Sequence, residues 1–433
     1  MIKRALLTLP LYLFLGCDYQ DIVGSSESDS NSSSILIAKS ETSKASIPML
    51  AVLINYNNIE ISSSEDIWSK KLFGNEESEL NSYYKEVSSN NFEYIPVDED
   101  SGIVNDGVVS VYLNKNHPNM DVDSPNFEIN VYPDFKTSLD LVDEFVDFSK
   151  YDIDENGLIT PDELIITFIM AGYEDAYEGR HVTNGIWGHQ SCVNFDLNLD
   201  KVSLLNCQDG GNFAIFGERH NIYDPHDATI GIIAHELGHA TFNLPDLYNT
   251  SNPDEGGIGY FGIMGSGTWA RKDNNEYAGA TPSHFTAWCK IYNNWIEPIV
   301  VNNTQAVLNE TSSLNYNILK IPIDDTKYYL LENRNNSGYD RSLASLSGIF
   351  NGGIAIWKVD ETKLTTSYID ANNVNADTEN KGVDLVEAVD GDIDKFGDGG
   401  DENALYYDTN KNYFSTLVTN ISQRGSSMSL DIK

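Results

Sequence analysis

Residues 224–246 constrain this chain more tightly than any other stretch, because they call for one buried helix that must also carry polar side chains. Asp224-Pro225-His226-Asp227 reads as a helix start, with an acid at the N-cap, proline in the first turn and a second acid near the positive end of the dipole. Ile230, Ile233, Ala234 and Leu237 recur at helical spacing and predict a stripe facing a core. His235 and His239 stand four apart, so they project from one face and can grip a common cation. Neutral imidazole suits zinc, and a zinc that does chemistry takes three protein ligands and keeps a place for water. Glu236, beside the first histidine, is placed to take that water's proton. Asn243 falls where the helix should end, a residue that tolerates a left-handed cap. Pro245 then forbids continuation, and the turn lets Asp246 swing back as a third ligand. The five residues alone also occur by chance on amphipathic helices, so the surroundings have to decide.

Those surroundings hold a glycine-rich turn, Gly262-Ile263-Met264-Gly265-Ser266-Gly267, whose Met264 could floor a zinc site or simply fill a core. Further upstream, Asp152, Asp154, Asn156, the carbonyl of Leu158 and Glu163 occupy positions 1, 3, 5, 7 and 12 of an EF-hand-type loop, with Gly157 at its turn. Oxygen ligands so spaced wrap a hard cation, so the loop is read as a Ca2+ site; the bland reading is an acidic turn. A strand is expected straight after it, which makes the calcium structural rather than switching. Asp390-Gly391-Asp392-Ile393-Asp394 is a poorer copy, with Lys395 at the glycine position, and reads better as a solvated acidic loop. His189 and Glu218 read as wall or packing residues, while Tyr248 and Tyr260 are minor candidates for an oxyanion donor.

At 433 residues the chain has room for two or three domains. Its formal net charge of -39 repels a polyanion and excludes nucleic acid as a partner. Lys3 and Arg4 precede the apolar run Leu6 to Leu15, which is too short for a permanent membrane span. Phe14-Leu15-Gly16-Cys17 resembles a lipoprotein signal, so residues 1–17 read as a lipoprotein-type signal peptide in which cleavage after Gly16 leaves Cys17 to be acylated. An ordinary signal peptide is the alternative. Either way the chain is exported, as an envelope lipoprotein or a secreted protein, and the membrane is met only through the lipid. Residues 18–46 are rich in Ser, Asn, Asp and Glu and read as a flexible tether. Cys192 and Cys207 could close a disulfide in an oxidising compartment, whereas Cys289 reads as a buried thiol.

Pro48 to Asn55 and Leu164 to Met170 predict buried strands, and Tyr83, Tyr84 and Val87 mark a helix. A second helix is predicted through Leu139, Val142, Phe145, Val146 and Ser149. Beyond Pro298 short alternating runs predict a β-rich region, residues 299–433, ending in the strand Ser427 to Ile432.

Taken together the motifs become familiar. HELGHATFNLPDLY at 235–248 followed by GIMGSGTW at 262–269 resembles the immune inhibitor A family of bacterial metalloproteases. Tyr83-Tyr84-Lys85-Glu86-Val87-Ser88, Pro282-Ser283-His284, Ala287-Trp288-Cys289-Lys290, Tyr329 to Arg334 and Gly353 to Trp357 resemble further segments of that family, in order, across most of residues 47–433. The resemblance implies an α+β chain: a metzincin-like zinc protease domain over 47–298, with a mixed twisted sheet and an active-site helix, then the β-rich domain. It implies zinc on His235 and His239, Glu236 as base and Met264 in the Met turn. The family places glycine three and aspartate six residues after the second histidine. Here Phe242 and Pro245 stand there, as if one residue were inserted, so Asn243 and Asp246 become the shifted equivalents. Asp246 is accordingly the third ligand, with His284 and Asp254 in reserve. The function expected is a monomeric zinc endopeptidase acting on proteins or peptides. The competing reading is a catalytically inactive surface binding protein with a vestigial metal site, against which the intact Glu236 speaks.

Overall fold

The computed structural model describes residues 45–119, 127–250, 252, 257–344, 350–389 and 404–433. Cys17 and the rest of residues 1–44, Asp254 and the acidic loop Asp390 to Asp394 lie outside them.

The described chain opens on strand β1 (Ser46–Tyr56), helices α1 (Glu65–Phe73) and α2 (Leu80–Val87), and strands β2 (Glu93–Pro96) and β3 (Val108–Leu113). Helix α3 (Phe127–Val142), strand β4 (Ile165–Glu174), the single turn α4 (Asp175–Glu178) and strands β5 (Gly185–Ile186) and β6 (His189–Ser191) follow. A ribbon of β7 (Asn198–Leu199) and β8 (Val202–Ser203) leads to β9 (Phe213–His220), β10 (His226–Asp227), and helices α5 (Ile230–Phe242) and α6 (Ala287–Tyr292). After α6 the chain is mostly strand: β11 (Ile299–Val300), β12 (Thr304–Asn309), β13 (Leu319–Pro322), β14 (Lys327–Arg334) and β15 (Gly353–Asp360). A short helix α7 (Thr366–Asp370) separates these from β16 (Val383–Leu385), β17 (Val418–Thr419) and β18 (Ser427–Ile432). The protein is α+β. Among the described residues no helix is long and apolar enough to cross a membrane.

Strand β1 organises the first half. Its near-continuous apolar run suits a parallel strand covered on both faces. It pairs in parallel with β4 along one edge, Met49 opposite Ile165, and with β2 and then β3 along the other. Beyond β4 the sheet continues in parallel to β9, and β10 closes that edge antiparallel. Successive side chains take opposite faces. Met49, Ala51 and Leu53 enter the core shared with α1, α2 and α5, whereas Leu50, Val52 and Ile54 enter the core shared with α3.

The later strands form a five-stranded sheet, β11-β13-β14-β15-β16, and a three-stranded sheet, β12-β18-β17. Leu331, Ile354 and Ile356 face the smaller sheet, while Leu330, Trp357 and Val359 lie in the same core as α5 and α6. One apolar core therefore runs from β1 across residue 298 into the second sheet.

Two helix boundaries differ from the sequence reading. Helix α3 stops at Val142, Phe145 and Val146 fall in the turn beyond it, and Ser149 lies in a 3-10 turn, Phe148–Tyr151. Its last turn has no basic residue, and Asp143 and Glu144 follow where the dipole is negative, which disfavours further turns. Helix α5 begins at Ile230 after Thr229, not after Asp224. His226 and Asp227 are extended instead, paired with His220 and Arg219, and the Asp227 carboxylate takes a 2.7 Å bond from Ser63 Oγ. Pairing that sheet edge outweighs the local helix signal. The backbone N–H of Gly231 is then met by Gly279 O at 2.9 Å.

A buried ionic network joins α6 and β14 to the loop before Met264. Arg334 reaches both oxygens of Asp340, at 2.5 and 2.6 Å, and donates to Phe261 O at 2.7 Å. Glu332 lies 3.3 Å from Arg334 and 3.4 Å from Lys290, and all four charged side chains are buried. Removing one member strands another charge away from water. Arg334→Met should lower the unfolding free energy by about 3–5 kcal/mol, read as a drop in the urea midpoint, and Arg334→Lys should cost less. A midpoint unchanged in Arg334→Met would show that the network is dispensable.

Candidate metal centre

Helix α5 is buried almost throughout because it lies between the first sheet and the loop 262–269. Two glycines allow that approach. A Cβ on Gly231 would stand 1.9 Å from Thr268 O, and one on Gly238 would stand 2.9 Å from Met264 Sδ. Met264 thus lies directly against the helix one residue from His239. Helix α2 props the other side: Tyr84 donates to Ala234 O at 3.0 Å and Tyr83 to Ser283 O at 2.8 Å.

Both imidazoles are oriented by main-chain carbonyls from outside the helix. His235 Nδ1 bonds Ile263 O at 2.8 Å, and His239 Nδ1 bonds Leu244 O at 2.5 Å. The second contact depends on Asn243, whose φ of 52° reverses the chain in the left-handed region. A carbonyl only accepts, so each Nδ1 carries the proton and each Nε2 presents a lone pair. The two Nε2 atoms are 3.1 Å apart, and Asp246 Oδ1 lies 3.1 Å from that of His235 and 3.4 Å from that of His239. Among the described residues, no hydrogen bond from outside the two imidazoles reaches this buried Oδ1. Three acceptors therefore face one another across a small gap, an arrangement that repels itself unless a cation lies between them. Zinc–ligand bonds of about 2.0–2.1 Å set tetrahedral ligand atoms roughly 3.3 Å apart. The donor set and its spacing fit that ion.

Burial and mutual attraction shift the carboxyls of Glu236 and Asp246 and the His239 imidazole. Burial pushes the Glu236 carboxyl up to about 7, with Asp246 adding to the effect and His235 opposing it. Burial works to raise Asp246 as well, but His239 and His235 outweigh it and hold that carboxyl well below the usual range. His239 is raised in turn: burial opposes the charge, and Asp246 prevails.

The other residues singled out from sequence are dispersed. His284 Nε2 contacts Glu86 Oε1 at 2.9 Å and is not in the cluster. Glu218 on β9 accepts from the backbone N–H of Ser62 at 2.5 Å and ties down the loop before α1. His189 sits on β6, its Nδ1 2.8 Å from Trp187 O. Tyr248 forms an isolated bridge with Gly257, and Tyr260 packs against the core around α5. Sequence reasoning missed Asn372, which contacts Asp246 from 126 residues away and belongs to no local motif.

A second acidic group lies at the loop before β4. Carboxylate oxygens of Asp152, Asp154 and Glu163 come within 4.8 Å of one another. Gly157 has a φ of 82°, Leu158 N–H donates to Asn156 Oδ1 at 2.7 Å, and the buried Glu163 accepts from Ile153 N–H at 2.9 Å. Ser203 N–H donates to Gly157 O at 2.8 Å, so the loop is tied to the segment closed by the Cys192–Cys207 disulfide. Cys289 is a buried free thiol.

Paired imidazoles and a carboxylate converging beside a buried helix are a donor set that could hold a metal, of the kind metallohydrolases use. Residues 70–296 match the profile of the immune inhibitor A peptidase M6 catalytic domain, and the chain belongs to that family. It is 33% identical over 158 residues to immune inhibitor A of Bacillus thuringiensis subsp. alesti, which covers 35% of this chain and 21% of that protein. Over 167 residues it is 29% identical to the pre-pro-metalloprotease PrtV of Vibrio cholerae serotype O1, which covers 37% of this chain and 17% of that one. The aligned part is thus about a fifth of the relatives' length or less. Among solved structures, OgpA from Akkermansia muciniphila aligns over 76% of this chain and 88% of its own at 13% identity, but its TM-score of 0.29 is too low to bear on the fold.

The contrast between the two glycines is measurable. Gly231→Ala meets backbone that cannot yield and should destabilise by about 1–3 kcal/mol. Gly238→Ala meets a flexible methionine and gains roughly 1 kcal/mol of helix propensity, so it should be nearly neutral. Urea unfolding of the two variants would refute this packing if their order were reversed.

Proposed function

We propose that this protein is an exported zinc endopeptidase, with His235, His239 and Asp246 as the zinc ligands and Glu236 as general base. The observation that carries the reading is the convergence of His235 Nε2, His239 Nε2 and the buried Asp246 Oδ1 within 3.1–3.4 Å. When bound, zinc supplies a Lewis acid for the peptide carbonyl and lowers the pKa of water to about 7. Glu236, buried on the same helix turn, takes the proton from the attacking water and passes it to the leaving amine. Met264 supports the helix from beneath, in a metzincin-like arrangement, and the strands of 299–433 form the β-rich region that completes the enzyme. Protein or peptide substrates follow from the family. The Cys192–Cys207 disulfide and the signal-like start with Cys17 support a place outside the cytoplasm, with the chain acting as a monomer, lipid-anchored or secreted.

Glu236→Ala should keep stoichiometric zinc yet lose about 10²–10⁴-fold in casein cleavage. If the wild type holds zinc and cuts nothing in a broad peptide library, the enzyme reading falls.

The loop Asp152 to Glu163 is proposed as a structural Ca2+ site, with Asp152, Asp154, Asn156, the Leu158 carbonyl and Glu163 as ligands. Its support is the cluster of carboxylates around the turn at Gly157. Calcium added to chelator-stripped protein at a hundredfold excess over its Kd should stabilise it by about 2.7 kcal/mol, visible as a rise in Tm. Asp154→Ala should abolish the rise; a wild-type Tm indifferent to calcium would remove the assignment.

A further inference from the structure

We infer that Asn372 is a positioning residue for the metal centre: its side-chain amide fixes the rotation of Asp246 so that Oδ1 faces the two imidazoles. This rests on the reading of Asp246 as third ligand. The contact has two points. Asn372 Oδ1 accepts the backbone N–H of Asp246 at 2.7 Å, and Asn372 Nδ2 donates to Asp246 Oδ2 at 2.8 Å. A flipped amide would set NH2 against N–H, so the backbone bond dictates which end meets the carboxylate. With Oδ2 held, the carboxylate plane is fixed and Oδ1 is left toward His235 and His239. Asp246 is buried, so this amide replaces the water that would otherwise solvate Oδ2.

The clamp comes from outside the stretch matching the family's catalytic domain, which ends at residue 296. Its own geometry is held firmly. Asn372 has a φ of 50°, a left-handed conformation that Asn, Asp and Gly tolerate, and its N–H donates to Ile369 O at 2.9 Å at the end of α7. Neighbouring contacts sew the same two segments together. Asn375 Nδ2 donates to Leu247 O at 3.1 Å, Asn243 Nδ2 to Asp370 Oδ1 at 3.4 Å and Thr250 Oγ1 to Asn372 O at 3.4 Å. The region after β15 thus grips the turn that carries the third ligand, as outer partners of metal ligands commonly do.

Zinc affinity of the full chain, measured by competition with a chromophoric chelator, tests this in Asn372→Asp, Asn372→Gly and Asp246→Ala, with Tm of the stripped proteins in parallel. Both Asn372 variants keep the backbone conformation. Asp retains the acceptor but sets a carboxylate against Oδ2, and Gly removes both bonds. Each should weaken zinc binding about 10–100-fold, and Asp246→Ala at least as much. Asn372 variants that bind zinc within twofold of wild type, whether or not Tm falls, overturn the clamp while Asp246→Ala still loses affinity. Should Asp246→Ala itself bind normally, the ligand assignment fails and the clamp with it.

Discussion

The arrangement of the centre hangs on two carbonyl oxygens, those of Ile263 and Leu244. A neutral imidazole has one proton for two nitrogens, and burial leaves no water to settle which nitrogen holds it. By accepting from Nδ1 on each ring, the two carbonyls turn both Nε2 lone pairs toward Asp246. Neither carbonyl belongs to α5. Leu244 is reached through the left-handed turn at Asn243, and Ile263 lies in the glycine-rich loop, so the helix alone could not define the site.

That dependence passes outward. The loop bearing Ile263 is fixed by Ile263 N–H to His284 O at 3.2 Å, and by Arg334 from β14 to Phe261 O. A chain with a net charge of -39 has few cations, yet it buries Arg334 and Lys290 completely. Buried ion pairs add little net stability against apolar replacements, but they penalise any packing that leaves a partner unmatched. Here they tie β14 of the second sheet to the loop through Phe261 O. Because Asn372 meets Asp246 from that same region, two of the elements that shape the centre lie beyond the residues matched by the catalytic-domain profile.

What could be read from sequence was what has a local period or fixed spacing. Strand β1, the strand after the Asp152 loop, helix α2, the body of α5, its left-handed end at Asn243 and the last strand all follow from near-neighbour patterns. The start of α5 did not, because His226 and Asp227 are recruited to a sheet edge by β9, and no local signal announces that. The end of α3 was misplaced for a related reason: Phe145 and Val146 continue the apolar rhythm while already in a turn. Asn372 and Arg334 were illegible in principle. An asparagine in a polar loop and an arginine in a strand look ordinary until the fold brings each to its partner.

The path from His239 to Asp246 shows how local and distant constraints meet. The helix runs through Phe242, whose ring packs edge-on to Phe92 at 4.9 Å and to Trp295 at 5.1 Å. Burying that ring favours helix as far as Phe242, and the left-handed turn falls at Asn243, which can adopt it. Asp246 arrives at the imidazoles because the turn is held on its far side by Asn372 and Asn375. The aspartate therefore arrives where an aromatic pocket draws the helix forward and a distant segment catches the chain as it leaves.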